Sequence, residues 1–334
     1  MKVLVTTPTG QIGRRILAEL IAPEFSVRVI VRDPERLPAE IRSQVEVVRG
    51  STDDAVALRR ALEGVETMFW CVPTESPRES TIERHYEGFA RAAGQAIREA
   101  RTPRVVTISA AGRGLSRKTG RIFGLHAMEE ILDQSATAIR HLRCGIFMEN
   151  FLAQARTIRE QGLFSFPISG KIPLPMTAVN DVADCALRWL ARRDWGGVEG
   201  VVVYGPEKLS FNQAAVIMER VLEQRVHYRE SAADDYIEGL VSSGASVDYA
   251  RGQVEMLAAL AKVVTCSEPA ARELTTSVRL SAWTRKELLP VIKSDGLKAV
   301  KWSRREIATH AFAIARERCS GMASLHLPPT RSKC

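Results

Sequence analysis

The chain has 334 residues, is 45% hydrophobic and 26% charged, and carries a formal net charge of +8. This is the composition of a globular protein of one or two domains, and no apolar run approaches the length of a bilayer span. Six scattered cysteines (71, 144, 185, 266, 319 and 334) without a Cys-x-x-Cys argue against a zinc centre or disulfide framework, and predict a reducing, cytoplasmic setting.

The first element is Met1–Val5, a β-branched apolar run that predicts a buried strand. It starts too early to leave room for a removable signal. Thr6-Thr7-Pro8-Thr9-Gly10-Gln11-Ile12-Gly13 follows, and then a helix with Ile16, Leu17, Leu20 and Ile21 on one face. Strand, glycine-bearing turn and helix in that order form a pyrophosphate cradle, because the backbone must approach the anion and the helix N-terminus offers it N–H groups. Thr6, Thr7, Thr9, Gly10, Gln11, Ile12 and Gly13 are therefore candidate cofactor residues. Thr7 stands where a three-glycine fingerprint has its first glycine, which requires Thr7 to keep a negative φ.

A second strand, 25–31, ends at Arg32-Asp33-Pro34. An acidic residue at that point suits the adenosine ribose of NAD, whereas an arginine suits the 2′-phosphate of NADP. Arg32 points to NADP, and the neighbouring Asp33 leaves NAD as the lesser choice. Further strands are predicted at 45–50, 67–72, 104–109 and 136–142, alternating with helices at 55–62, 79–100 and 122–132. This alternation predicts an α/β, Rossmann-like, doubly wound parallel sheet with ligands at the C-terminal strand ends. Ser51, Thr52, Cys71, Val72, Pro73 and Ser109 fall at those ends and join the candidate cofactor residues. The Pro/Ser-rich loop 73–80 is expected beside the nicotinamide end.

Beyond 146 the pattern predicts an amphipathic helix over 147–161, a Gly/Pro loop or short hairpin over 164–175, a helix over 181–191, a strand over 200–204, a helix over 211–222 and a short strand over 225–229. Asp181 is expected to act at its helix start by capping or through the dipole. The stretch 249–265 has helical spacing, and 284–318 predicts one or two basic amphipathic helices. The domain division expected is 1–146 for the nucleotide, with elements at about 178–204 returning to it. A discontinuous, mostly helical substrate region would take 147–177 and 205–320, with a tail at 321–334. The end is basic: 285–334 holds eleven Lys/Arg against four Asp/Glu, a net +7 of the total +8. A solvated helical face accounts for it, and no recognition motif accompanies the charge to indicate nucleic acid.

Thr7-Pro8-Thr9-Gly10-Gln11-Ile12-Gly13 and Val31-Arg32-Asp33-Pro34-Glu35-Arg36 together resemble the NmrA-like branch of the atypical short-chain dehydrogenases. So do Ser109-Ala110-Ala111-Gly112, Phe147-Met148-Glu149-Asn150-Phe151 and Val179-Asn180-Asp181-Val182-Ala183. The resemblance covers residues 1 to about 230. It implies an acceptor site lined by Phe147, Met148, Asn150 and Phe151, although helix core serves equally well for the aromatic residues. Most short-chain dehydrogenases pair a Ser after the fifth strand with Tyr-x-x-x-Lys. Here Ser109 is present, but the motif position reads His126-Ala127-Met128-Glu129-Glu130.

Three readings stay open. His126 is the proton donor, tuned by Glu130 four residues on. Alternatively a quinone, enone or similar acceptor needs little acid catalysis, and positioning suffices. In the third, the protein is a non-catalytic redox sensor that binds NAD(P) and acts through a protein partner. His126 and Glu130 also suit a simple surface contact on the helix. Ser109 completes the candidate catalytic set. The histidines, at 85, 126, 141, 227, 310 and 326, form no metal-ligand spacing with cysteine or aspartate. The expectation is an NADPH-dependent reductase of a small conjugated organic molecule.

Overall fold

The computed structural model describes residues 1–294 except 79–81, 103, 116–118, 137 and 264–271. In chain order the first half runs β1 (Lys2–Val5), α1 (Gln11–Leu20), β2 (Ser26–Val31), α2 (Ala39–Arg42), β3 (Glu46–Arg49), α3 (Ala55–Leu62), β4 (Thr67–Trp70), α4 (Ile82–Ala100), β5 (Arg104–Ala110), α5 (Arg121–Leu132) and β6 (Ala138–Cys144). After β6 come β7 (Ile146–Phe147), a 3-10 segment Met148–Gln154, α6 (Ala155–Gln161), β8 (Leu163–Phe166), β9 (Leu174–Thr177), α7 (Val179–Leu190), β10 (Gly197–Tyr204) and β11 (Lys208–Leu209). The remaining described elements are α8 (Phe211–Leu222), β12 (His227–Glu230), α9 (Ala233–Ser242), α10 (Val247–Val263), β13 (Arg272–Thr275), α11 (Leu280–Trp283) and α12 (Leu289–Lys293), the last two joined by a π turn over Thr284–Leu288.

Eight strands form one parallel sheet in the order β13-β10-β6-β5-β4-β1-β2-β3. The connection reverses direction between β1 and β4, and in open α/β sheets that switch point opens the ligand crevice. The strands are nearly continuous apolar runs because both faces are covered. Leu4, Ile30, Met68, Trp70, Val105 and Ile139 pack under α3, α4 and α5 on one side, and α1 packs on α7. Local chemistry sets the helix starts. Asp54 accepts from the backbone N–H groups of Val56 and Ala57 to cap α3, and Ser210 with Gln213 makes a capping box on α8.

A second apolar core gathers Phe151, Phe164, Phe166, Phe211, Met218, Leu257 and Trp283 from the region after β6. Three expectations change here. The helix predicted over 147–161 begins instead as β7 and a 3-10 segment, becoming α-helical only at Ala155. The stretch 164–175 is no hairpin: β8 pairs parallel with β12, while β9 pairs parallel with β7 and antiparallel with β11. Arg272–Thr275, within the stretch assigned to the substrate region, joins the large sheet beside β10. The tail 321–334, the helices predicted beyond 294 and parts of the loops 73–80 and 113–121 lie outside the described residues.

Candidate active site

A cavity of about 450 Å3 opens at the C-terminal ends of β1, β4, β5 and β6. One end is the turn after β1. There the Gly10 N–H donates to the Thr7 carbonyl (2.9 Å), and no side chain caps α1. A β-carbon on Gly13 would overlap the Thr7 carbonyl oxygen, so only glycine lets the helix start this close to the turn. Thr7 itself has φ +48. This corrects the expectation of a negative φ: a β-branched residue sits in the left-handed region because the turn must present its carbonyl to Gly10. Thr7, Gly10, Gln11, Ile12 and Gly13 line the cavity.

Thr6 does not. It is fully buried, and its Oγ1 donates to the Phe69 carbonyl and accepts from the Cys71 N–H, both at 3.0 Å. Its role is to tie β1 to the end of β4. Thr9 is half-buried in the turn and outside the cavity lining. Arg32 is exposed at the end of β2, with no hydrogen bond or ion pair on its side chain among the described residues. Asp33 instead spends its carboxylate capping the next turn, accepting from the Glu35 N–H at 3.1 Å. Ser51 and Thr52 follow β3, and Thr52 is buried.

Cys71, Val72, Pro73 and Ser109 line the middle of the cavity. Burial pushes the Cys71 thiol up to about 11. Ser109 is 2% exposed; its Oγ meets no partner at full hydrogen-bond geometry but lies against the Glu129 carboxylate and helps to hold that group low. A buried hydroxyl on a cavity wall with bonding capacity to spare fits a group that arrives with its own donor or acceptor. The Ser109 hydroxyl, the glycine cradle and the unpaired Arg32 all fit a bound NAD(P).

The His126–Glu130 pair is not brought to the cavity. His126 is buried with Nε2 2.8 Å from the Ala110 carbonyl oxygen, and Glu130 lies outward against Arg113. Between them in sequence, Glu129 turns inward and pairs with Arg143 through two short contacts, Nε–Oε1 at 3.0 Å and Nη2–Oε2 at 2.7 Å. Burial is the largest single influence and would raise its pKa, but the Arg143 hydrogen bonds, the His141 and Arg143 charges and the Ser109 hydroxyl together outweigh it and hold the carboxyl low.

Of the four residues expected at the acceptor site, Phe147 and Asn150 line the cavity. Met148 and Phe151 do not. They are 1% and 2% exposed within the second core, because the 3-10 segment repeats every three residues and so turns Met148 and Phe151 to the same side, away from the cavity. Glu149 between them lines the cavity and accepts from the Val179 N–H and the Trp283 Nε1, each at 3.1 Å. It thus caps α7. Asp181 stands in the first turn of α7, where a carboxylate meets the helix dipole, the second of the two roles expected of it, and accepts from the Val278 N–H at 3.0 Å.

Sequence reasoning missed Glu75, Tyr86 and Arg121. Arg121 begins α5 and donates from Nε (2.9 Å) and Nη2 (2.6 Å) to Glu75 Oε1, while the Tyr86 hydroxyl donates to Glu75 Oε2 at 3.1 Å. Gly124 makes room for the Tyr86 ring, since a β-carbon there would lie 2.8 Å from it. Burial raises the Tyr86 hydroxyl strongly, and burial raises Tyr249 on α10 with Arg121 pulling against it. Met256, Leu257, Leu260 and Val263 of α10 close the far wall.

A parallel sheet with this switch point, a glycine cradle after β1 and a cavity across β4 and β5 define a nucleotide-binding Rossmann-type protein. Residues 8–149 match the NAD(P)H-binding family. The chain is 30% identical over 232 residues to the (4-alkanoyl-5-oxo-2,5-dihydrofuran-3-yl)methyl phosphate reductase of Streptomyces griseus, covering 70% of this chain and 78% of that one. It is 26% identical over 247 residues to quinone oxidoreductase 2 of Escherichia coli, covering 72% and 82%. The NADPH-dependent quinone oxidoreductase from E. coli, solved with NADPH, superposes with TM-score 0.69 at 21% identity over 84% of this chain and 97% of that one. Triphenylmethane reductase of Citrobacter superposes with TM-score 0.67 at 16% identity over 81% and 93%. The chain belongs to the NAD(P)H-binding family, which is consistent with its sequence resemblance to the NmrA-like, atypical short-chain dehydrogenases. Among the described residues no helix is long and apolar enough to cross a membrane, and no cluster could hold a metal ion.

Proposed function

We propose that the protein is an NADPH-dependent reductase of a small conjugated acceptor of the quinone, enone or aromatic-dye type. The observation that carries this reading is the continuity of one cavity from the Gly10–Gly13 cradle, past the Ser109 hydroxyl, to the apolar wall of α10. The first part suits a dinucleotide, and the last suits a flat apolar molecule beside it. Several relatives carry names of quinone, azo or butenolide-phosphate reductases, which supports the same class.

When bound, NADPH supplies the hydride. The chain's own residues bind and orient. The turn of Thr7, Gly10 and Gly13 with the N-terminus of α1 holds the pyrophosphate. Arg32 takes the 2′-phosphate, and Ser109 anchors the nicotinamide end. Ile122, Leu125, Phe147, Leu257 and Leu260 would exclude water from a conjugated acceptor held beside the cofactor.

The experiment is a titration of the protein with NADPH and NADH, followed by NADPH oxidation with quinones, enones, azo dyes and simple ketones. The expected result is NADPH bound more tightly than NADH, with turnover of conjugated acceptors and not of simple ketones. Binding without turnover of any acceptor would overturn the reductase reading, and binding of neither nucleotide would overturn the cofactor assignment as well.

A further inference from the structure

Arg121 is the only basic side chain among the described residues lining the cavity, and Glu149 is the only acidic one. Glu75 is almost wholly committed to Arg121. Its side chain is 1% exposed, one oxygen takes both the Nε and Nη2 contacts, and the other takes the Tyr86 hydroxyl. The guanidinium is thereby fixed by one edge. Its side chain is 28% exposed and Arg121 lines the cavity; Tyr249 of α10 also bonds to the guanidinium, and of its five N–H donors some remain beyond those that Glu75 and Tyr249 take. Every other polar member of this cluster serves to hold that one group in place.

We propose, on the reductase reading above, that Arg121 binds the acceptor's carbonyl oxygen and stabilises the negative charge that forms on it. When the hydride, carrying two electrons, forms a C–H bond at the acceptor carbon, the conjugated π bond breaks and its electron pair moves to the carbonyl oxygen. That oxygen takes a proton from water afterwards. The nicotinamide is oxidised and the acceptor reduced. Arg121 supplies at this point the positive charge that Glu130, standing at the lysine position of the short-chain dehydrogenase motif, cannot. A donor already oriented by Glu75 costs no reorganisation as the charge appears.

The test begins with the wild-type protein and a neutral quinone, so that failure of the reductase reading shows itself separately as absence of turnover. Arg121→Gln, Arg121→Lys and the double variant Glu75→Gln/Arg121→Gln are then compared. The double variant leaves no buried unpaired carboxylate and keeps the question open to measurement if the single variant does not fold. The expected loss for Gln is about a hundredfold to a thousandfold in kcat, as for removal of one oxyanion donor. KM for the acceptor should change far less, NADPH affinity should be unchanged, and Lys should recover part of the loss. Simple enones should lose more than quinones, whose product anions need less help.

A second readout does not depend on turnover. A nitrophenol that ionises near neutrality, titrated into the NADP+-loaded protein, should bind as its coloured phenolate with its ionisation shifted downward, and the shift should vanish in the Gln variants. Unchanged kcat in a folded Arg121→Gln protein, or the same phenolate shift in wild type and variant, would overturn the proposal.

Discussion

Gly13 stands directly against the Thr7 carbonyl oxygen, so a β-carbon at position 13 and the observed turn cannot coexist. Thr7 holds that carbonyl in place from a left-handed backbone conformation, φ +48, with the Gly10 N–H bonded to it. Gly13→Ala must therefore move either the turn or the start of α1, and both form the pyrophosphate cradle. The expected outcome is a folded protein whose NADPH affinity falls by about tenfold or more, equivalent to at least about 1.4 kcal/mol. Fluorescence titration checks it, and unchanged affinity would show that the cradle is not where the nucleotide's phosphates lie.

Arg32 and its neighbour Asp33 divide the adenosine end between them. Asp33 is engaged in its own turn at 3.1 Å from the Glu35 N–H, while the guanidinium of Arg32 has no described partner. Arg32→Ala should weaken NADPH by roughly ten- to a hundredfold, the span expected for losing charge-assisted hydrogen bonds. NADH should change little. Parallel titrations decide it, since equal losses for both nucleotides would place the 2′-phosphate elsewhere.

These two features were legible because their chemistry is local. A Gly-x-x-Gly after an apolar strand and an Arg at the next strand's end can be read within a few residues. The order of strands was legible too, because alternating strand and helix leaves few right-handed parallel solutions. The rest depended on distant pairing. Glu75 and Tyr86 acquire meaning only through Arg121, 46 and 35 positions further along the chain, and no spacing announces that contact. Met148 and Phe151 look like their neighbours Phe147 and Asn150 until the 3-10 geometry separates the two pairs. Arg272–Thr275, with its polar sequence, is a strand only because β10 offers a free edge.

Two buried carboxyls should give opposite pH signatures. Burial dominates at Glu149 and raises its pKa despite the bonds from Val179 and Trp283. The folded protein therefore holds the Glu149 proton at pH values where the unfolded chain has released it. The stability Glu149 contributes is complete below the ordinary carboxylate range and is lost as pH rises through the raised value. Glu129 is held low by Arg143, so its contribution is present above the ordinary range and is lost as pH falls through the lowered value. Glu149→Gln, which keeps an acceptor oxygen, should cost no more than about 1 kcal/mol at neutral pH and should flatten the decline of stability from mildly acidic to neutral conditions. Glu129→Gln removes the buried carboxylate charge that Arg143 and Arg113 both contact and should cost about 3–5 kcal/mol at neutral pH. Urea melts across that pH range separate the two.

His126 occupies the position of the proton-donating tyrosine of short-chain dehydrogenases, yet its ring is committed to the Ala110 carbonyl at 2.8 Å and is 6% exposed. Ser109, one residue before Ala110 on β5, lines the cavity. The two candidates therefore predict different losses. His126→Ala removes a buried partner of the β5 backbone and should lower stability by about 1–3 kcal/mol through the carbonyl left unsatisfied. Its kcat should stay close to wild type, with the pH profile of turnover unchanged. Ser109→Ala leaves the Glu129–Arg143 pair in place and should lower the melting temperature less than His126→Ala does, while weakening NADPH or lowering kcat. Melting curves and steady-state rates on both variants read this out. A His126→Ala protein that melts like wild type but loses turnover, with the acidic limb of its pH profile gone, would return the proton to the imidazole and show that α5 moves when the acceptor binds.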